Sequence, residues 1–230
     1  MLAVNRWSAQ NSEGYEAPAG LAVDAVVLGV RGAELVALVT RRPEGACGLP
    51  GGFVGPAERP EETAARKLEE KTGLREVYLE QLGTFADPRR DPRGWIPTVA
   101  YLALVPVGTE PTDPEASWRR AQDPGPLAFD HAEILALARD RVAGKLWWSN
   151  VAVGILPGAF ALSEARVVYE AIAGTRYDPA TFARDLRATG LIEPTGERRA
   201  GGTGRPAALY RFHSRAPAWG AGRRKRVAGG

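Results

Sequence analysis

GFVGPAERPEETAARKLEEKTGL, residues 52–74, is a glycine-rich loop that runs into a helix. Pro60 suits the first helical turn, Glu61 and Glu62 sit at the positive end of the helix dipole, and Gly73 stops the run. Positions 67, 70 and 71 are related by i, i+3 and i+4 and therefore share one face. They carry Lys67, Glu70 and Lys71, a formal charge of +1. Two ammonium groups there repel a divalent cation and compete for the single carboxylate, so tight metal binding by this face is not expected.

Gly52, Glu58, Arg66, Leu68, Glu70, Gly73 and Leu74 stand in the register G-x5-E-x7-R-E-U-x-E-E-x-G-U, with U apolar, and the segment resembles the Nudix box. It departs at Lys67 and Lys71, where that family has glutamates. The resemblance implies an α/β fold, an α/β/α sandwich around a mixed sheet. In the family, three carboxylates on this face hold Mg²⁺ or Mn²⁺, which clamps a pyrophosphate. Here the face has moved from −3 to +1. Either the lysine pair neutralises a bound pyrophosphate in place of the metal, or it is the solvated remnant of a disused site.

Around this box, Leu21–Gly29 and Leu35–Thr40 read as a β-hairpin through Arg31-Gly32-Ala33, and Pro43 to Pro60 as a loop. Arg41 and Arg42, at a strand end, are candidates for phosphate contact, and Gly51-Gly52 lets backbone approach a ligand. Val77 to Val107 has strand character, interrupted by the polar loop Asp87–Gly94. In that loop Arg93 offers charge and nearby Trp95 offers stacking; the alternative is a surface loop. Thr109 to Pro126 reads as a surface stretch. Ala128–Lys145 reads as a helix with Ile134, Leu135, Ala138 and Val142 as its apolar stripe, and His131 near its start is a ligand contact, a helix-capping group or a member of a satisfied hydrogen-bond network.

Beyond residue 150 the pattern changes. Ser163 is placed to cap a helix with apolar positions Leu162, Ala165, Val168, Tyr169 and Ile172, ended by Gly174. Asp178-Pro179 opens a second helix that ends at Gly190. A strand at Leu191, a Gly-rich tip from Gly196 to Gly204 and a returning strand Ala207–Phe212 complete the order of a winged helix-turn-helix. On the second helix, Thr181, Arg184 and Arg187 lie opposite Phe182 and Leu186, a small and basic face suited to the major groove. Arg198, Arg199 and Arg205 at the tip suit phosphate or minor-groove contact.

Residues 1–150 carry a formal charge of −4 and residues 151–230 one of +7, which places the polyanion-binding potential in the C-terminal third. A single cysteine, Cys47, excludes an internal disulfide framework and fits a reducing cytosol. No apolar run is long enough to span a membrane, and the first 20 residues have no signal-peptide core, so a cytoplasmic, nucleoid-associated protein is expected. The expected division is a flexible arm 1–20, a ligand-binding domain 21–150, a DNA-binding domain 151–213 and a disordered basic tail 214–230.

The stretches Pro126–His131, Leu156-Pro157, Phe160–Ser163, Val168–Glu170, Leu191–Gly196 and Gly204–Phe212, in this order, resemble the Nudix-related transcriptional regulators of the NrtR family. The resemblance implies a homodimer on a double-stranded DNA operator that represses genes of NAD synthesis or salvage. It implies ADP-ribose as the effector and no required cofactor. By matching motif it places Gly52, Phe53, Glu70 and the loop around Arg93 in the effector site, and Thr181, Arg184, Arg187 and Arg205 at DNA. Two alternatives stand beside it: an active ADP-ribose pyrophosphatase, and a regulator of the same architecture that responds to a sugar such as arabinose.

Overall fold

The computed structural model describes Pro18 and residues 20–75, 78–200 and 206–216. The proposed N-terminal arm apart from Pro18 and Gly20, Arg205 at the wing tip and the basic run Arg223–Arg226 lie outside the described residues. The chain's contacts group into two compact units. Of the described residues, the first holds those up to Leu28, those from Ala37 to Ala103 and Glu110–Ala138; the second holds Gly29–Val36, Leu104–Thr109 and those from Arg139 onward.

Strands β1 (Ala22–Arg31), β2 (Glu34–Arg41), β3 (Cys47–Gly48), β4 (Gly51–Phe53), β5 (Tyr78–Phe85), β6 (Thr98–Leu104) and β7 (Ala116–Arg120) form one sheet. Its path is β3-β2-β1-β6-β5, with β4 also on β1 and β7 on β2. β1 and β2 are near-continuous buried apolar runs, as strands covered on both faces must be. Gly32 and Ala33 at their hairpin tip both have positive φ (53° and 66°), the requirement of a tight turn matched to strand twist. Helix α1 (Pro60–Thr72) follows β4, and helix α2 (His131–Lys145) follows β7. Ile134, Leu135, Ala138 and Val142 are buried, as the apolar stripe of α2 predicts.

Three short elements escape the periodicity. β3 and β4 lie inside the Gly/Pro loop, and β7 lies inside what reads as a surface stretch. Two or three residues leave too short a period to recognise, and β7 has no fully buried residue. Helix α2 starts at His131, not Ala128, because Phe129 has φ 55°, outside the right-handed helical region.

In the C-terminal unit a 3-10 turn (Val151–Gly154) leads to β8 (Phe160–Ala161), helix α3 (Leu162–Ala173), helix α4 (Pro179–Ala188), β9 (Ile192–Arg199) and β10 (Ala207–Phe212). The three strands form a sheet in the order β8-β10-β9. Helix, turn, helix and hairpin match the expected winged helix, with β9 reaching further into the Gly-rich tip than its composition suggests. The α3 cap is not Ser163: the Glu164 carboxylate reaches back to accept from Ala161 N at 2.7 Å, so the helix begins at Leu162. Asp178 does cap α4, accepting from Thr181 N at 2.8 Å, with Pro179 next to it. The expected tail is fixed at its start, since Asn150 Nδ2 donates to Ser214 O (2.7 Å) and Ala216 O (2.8 Å).

An aromatic cluster packs the two helices of this unit edge to face. The Trp147 ring centroid lies 5.2 Å from Tyr169, 5.5 Å from Tyr177 and 5.7 Å from Phe182, and Tyr169 lies 5.2 Å from Phe182. The Tyr169 hydroxyl is buried there without a hydrogen-bond partner among the described residues. Tyr169→Phe removes that desolvated group and keeps the ring, so it is expected to stabilise the fold by about 1 kcal/mol in urea unfolding; a loss of stability would mean the hydroxyl is satisfied.

Glu170 on α3 ties the helix-turn-helix together. Its carboxylate accepts from Tyr177 N (2.9 Å), Arg166 Nη1 (2.7 Å) and Arg176 Nη1 (2.9 Å). The Tyr177 amide bond, helped by the two arginines, outweighs burial and holds the carboxyl below the usual 4.5. Because the folded value is depressed, the contribution is complete above the unfolded value and fades as pH falls through the folded one. Glu170→Gln is therefore expected to lower the melting temperature at pH 7 and to approach the parent only as pH falls through the depressed folded value. A constant difference across that range would contradict this role.

Candidate functional site

A cavity opens in the first unit over the loop that precedes α1. It is lined by Ala22, Asp24, Leu49, Gly51, Gly52 and Phe53, by Lys71 of α1, by Arg42, by Arg90, Asp91 and Arg93 of the 87–94 loop, and by Phe129 and His131 before and at the start of α2. β1 and β4 pair antiparallel here, Asp24 opposite Gly51 and Val23 opposite Gly52. The approach is close: a Cβ on Gly51 would stand 2.3 Å from Val23 O and 2.5 Å from the Asp24 carboxylate.

A buried network forms the floor. His131 Nδ1 accepts from Leu49 N at 2.9 Å, which leaves the ring proton on Nε2, facing Asp24 Oδ1 at 3.3 Å. Burial pushes the Asp24 carboxyl up, but the His131 hydrogen bond, with the nearby Arg90 charge, holds it below the usual range. Arg90 forks onto Asp130 (2.8 and 2.6 Å), donates to Ile96 O (3.0 Å) and reaches Asp24 (3.5 Å). His131 is thus both a cavity-lining group and a member of a satisfied network.

The wall is cationic and aromatic. Arg93 is held by Asp91 (Nε to Oδ1 2.9 Å, Nη2 to Oδ2 2.6 Å) and lies 5.4 Å from the Phe53 ring and 5.5 Å from the Phe129 ring. Arg42 sits 4.5 Å over Phe129 and pairs with Glu44 at 2.5 Å. Phe53 is 45% exposed, a ring free to meet a ligand.

Beside the cavity the box is rigidly framed. Glu58 accepts from Gly55 N (3.1 Å), Thr63 Oγ1 (2.7 Å) and Arg66 (2.7 and 2.6 Å). The Arg66 bond, then Thr63 and Gly55, pulls its carboxyl down to about 2. Arg66 Nη1 also donates to Glu70 Oε1 (2.8 Å), and Lys67 Nζ to Glu70 Oε2 (2.6 Å). Glu70 thus has both oxygens engaged by cations, and Lys71 replaces a third carboxylate. These residues do not fit the divalent cation that the Nudix box implies.

Of the predicted effector residues, Arg42, Gly52, Phe53, Lys71, Arg93 and His131 line the cavity. Arg41, Lys67, Glu70 and Trp95 do not. Arg41 points out to Glu115, strand alternation placing it opposite its neighbour. Lys67 lies along Gly52 and turns to Glu70. Trp95 is 40% exposed and donates to Ala86 O at 3.2 Å. Asp24, Arg90, Asp91 and Phe129 are additions. Asp24 was signalled by a charge inside the apolar strand LAVDAVVLG, because a buried carboxylate needs partners. Arg90, Asp91 and Phe129 had no signal beyond their place in the motifs.

On α4, Phe182 and Leu186 are buried while Thr181, Arg184 and Arg187 are exposed, the split predicted for a groove-reading helix. Arg187 donates to Tyr210 Oη (3.1 Å) with its guanidinium 5.3 Å from that ring. Arg184 pairs with Asp185 (3.0 Å). Arg198 donates to Pro206 O (3.3 Å), bracing the two ends of the wing. Arg199 is engaged by Glu164 (2.8 Å) and Ala159 O (2.9 Å), so it anchors the wing to the start of α3.

Residues 18–138 match the family model of the NUDIX domain, and residues 152–212 that of the NrtR DNA-binding winged helix domain. An ADPR-responsive transcriptional repressor, NtrR, from Acinetobacter baylyi is 36% identical over 173 residues, 71% of this chain and 68% of its own length. An ADP-ribose pyrophosphatase of Methanocaldococcus jannaschii is 35% identical over 96 residues, 40% of this chain and 56% of its own length. Shewanella oneidensis NrtR, crystallised with a 27mer DNA, superposes with TM-score 0.74 and 35% identity over 84% of this chain and 93% of that one. Its NUDIX domain in complex with ADP ribose gives TM-score 0.50 and 34% identity over 62% and 99%. Among the described residues no helix is long and apolar enough to cross a membrane. With both family models matched in order along it, the chain belongs to the NrtR family, a NUDIX domain followed by a DNA-binding winged helix.

Proposed function

We propose that this protein is a DNA-binding transcriptional repressor that uses its NUDIX domain as a receptor for ADP-ribose, without hydrolysing it, and controls genes of NAD synthesis or salvage. The observation that carries this is the contrast on α1. The ligand cavity beside the helix is built and charged, while the metal-binding face has become Lys67-Glu70-Lys71 with Glu70 engaged by two cations. The relatives in Acinetobacter and Shewanella, which respond to or bind ADP-ribose, support the ligand. Residues 21–150 serve as the receptor and 151–213 as the DNA reader; such a protein works in the cytoplasm, at the nucleoid.

A symmetric homodimer places two α4 helices in successive major grooves of a pseudo-palindrome, about 10 bp or a multiple apart. ADP-ribose shifts the population toward a geometry that no longer matches the grooves, within its differential affinity for the two states. A mobility-shift assay on DNA upstream of NAD genes tests this. A shifted band that ADP-ribose releases is expected; no band on any such DNA would remove the basis of the proposal. Hydrolysis of ADP-ribose at ordinary enzyme turnover would favour instead the activity of the Methanocaldococcus relative.

A further inference from the structure

We propose that Lys71 is a metal-independent seat for the diphosphate of the ligand, an ammonium occupying the helix position where a metal-binding carboxylate would stand; this rests on the ADP-ribose reading above. The cavity is lined by four cationic side chains, Arg42, Lys71, Arg90 and Arg93. Three have partners. Arg90 is forked onto Asp130, Arg93 onto Asp91, and Arg42 is paired with Glu44 and stacked on Phe129. Among the described residues, the Lys71 ammonium makes neither a hydrogen bond nor an ion pair.

Its surroundings leave that charge unsatisfied. Burial comes first in disfavouring the Lys71 ammonium, and Arg42 and Lys67 add repulsion that outweighs the pull of Asp24 and Glu70. Asp24 is already engaged by His131 and Arg90, and Glu70 by Arg66 and Lys67. A partly desolvated cation beside other cations is relieved by an entering anion, and a diphosphate brings the charge to satisfy Lys71 and Arg42 together. The two lysines of the box therefore separate in role. The Lys67 chain packs on Gly52, where an added Cβ would meet its Cε at 3.0 Å, and its ammonium neutralises Glu70. Lys71 is left facing the cavity.

The test is calorimetric titration of the full chain with ADP-ribose in EDTA, beside thermal shifts with inorganic pyrophosphate. The parent is expected to bind ADP-ribose without metal. Lys71→Gln and Lys71→Ala should weaken it by about tenfold or more, as expected for losing a charged partner. Lys71→Arg should retain most of the affinity, and Arg75→Ala, on the exposed end of the helix region, should bind like the parent. Unchanged affinity in Lys71→Gln, with its melting temperature intact, overturns the seat and leaves the ADP-ribose reading standing, as does binding by the parent only when Mg²⁺ replaces EDTA. If the parent fails to bind ADP-ribose in EDTA and in Mg²⁺ alike, that reading falls. Pyrophosphate then decides the seat alone: stabilisation of the parent but not of Lys71→Gln supports it, and no stabilisation of the parent overturns it. If Lys71→Ala does not fold, the Gln and Arg variants carry the comparison.

Discussion

Alanine at both Arg184 and Arg187 is expected to weaken operator binding by roughly 30-fold to 10⁴-fold, from about 1–3 kcal/mol for each contact. Both side chains are exposed on α4, whose other face is pinned by buried Phe182 and Leu186, so the substitutions remove recognition without removing core. Arg187 is already oriented by Tyr210, which limits the entropy it loses on binding. Arg199→Ala should behave differently. That guanidinium is committed to Glu164 and Ala159 O, so removing it loosens the wing more than it weakens any grip on phosphate. Fluorescence anisotropy over a salt series separates the two. The α4 variant should lose affinity and sequence preference together, and its salt slope should become shallower by about one for each phosphate it no longer neutralises. Unchanged binding by the double variant would take α4 out of the interface.

The second large effect is expected from Lys67→Glu combined with Lys71→Glu. This turns the face of α1 from a formal +1 to −3. Metal-free affinity for ADP-ribose should fall by about 100-fold or more, because an anion then meets carboxylates in place of the Lys71 ammonium. The frame that orients the helix is untouched, since Glu58 is held by Gly55, Thr63 and Arg66 and neither lysine takes part. Three carboxylates at i, i+3 and i+4 should instead take Mg²⁺, read as a metal-dependent rise in melting temperature that the parent lacks. Retained metal-free affinity for ADP-ribose would show that charge on α1 does not hold the ligand.

How much could be read in advance followed the length and the partners of each feature. Helix α1 was legible because loop, proline, acidic first turn and closing glycine span 23 residues in one register. The helix-turn-helix was legible for the same reason, with Asp178-Pro179 marking a start that the structure keeps. β3, β4 and β8 were not, because strands of two or three residues have no period, and they exist through their pairing, β3 with the strand just before it and β4 and β8 with distant segments.

At the site, charge alone overreached. Arg41 and Arg42 looked equivalent in the sequence, yet alternation along the strand end turns only Arg42 into the cavity. Lys67 and Lys71 looked like a pair, yet Glu70 takes one of them. Arg199 looked like a DNA contact, yet a carboxylate 35 positions earlier captures it. In each case the deciding partner lies far along the chain or depends on side-chain direction, and composition carries neither.

On the proposed function, the NUDIX domain binds ADP-ribose as a signal and not as a substrate. The most direct measurement titrates ADP-ribose into the complex of the full chain with a labelled operator, once in EDTA and once with Mg²⁺, and then recovers the nucleotide. Release of DNA is expected at the same ADP-ribose concentration in both conditions, with ADP-ribose recovered intact. Release only with Mg²⁺, accompanied by AMP and ribose 5-phosphate, would contradict it.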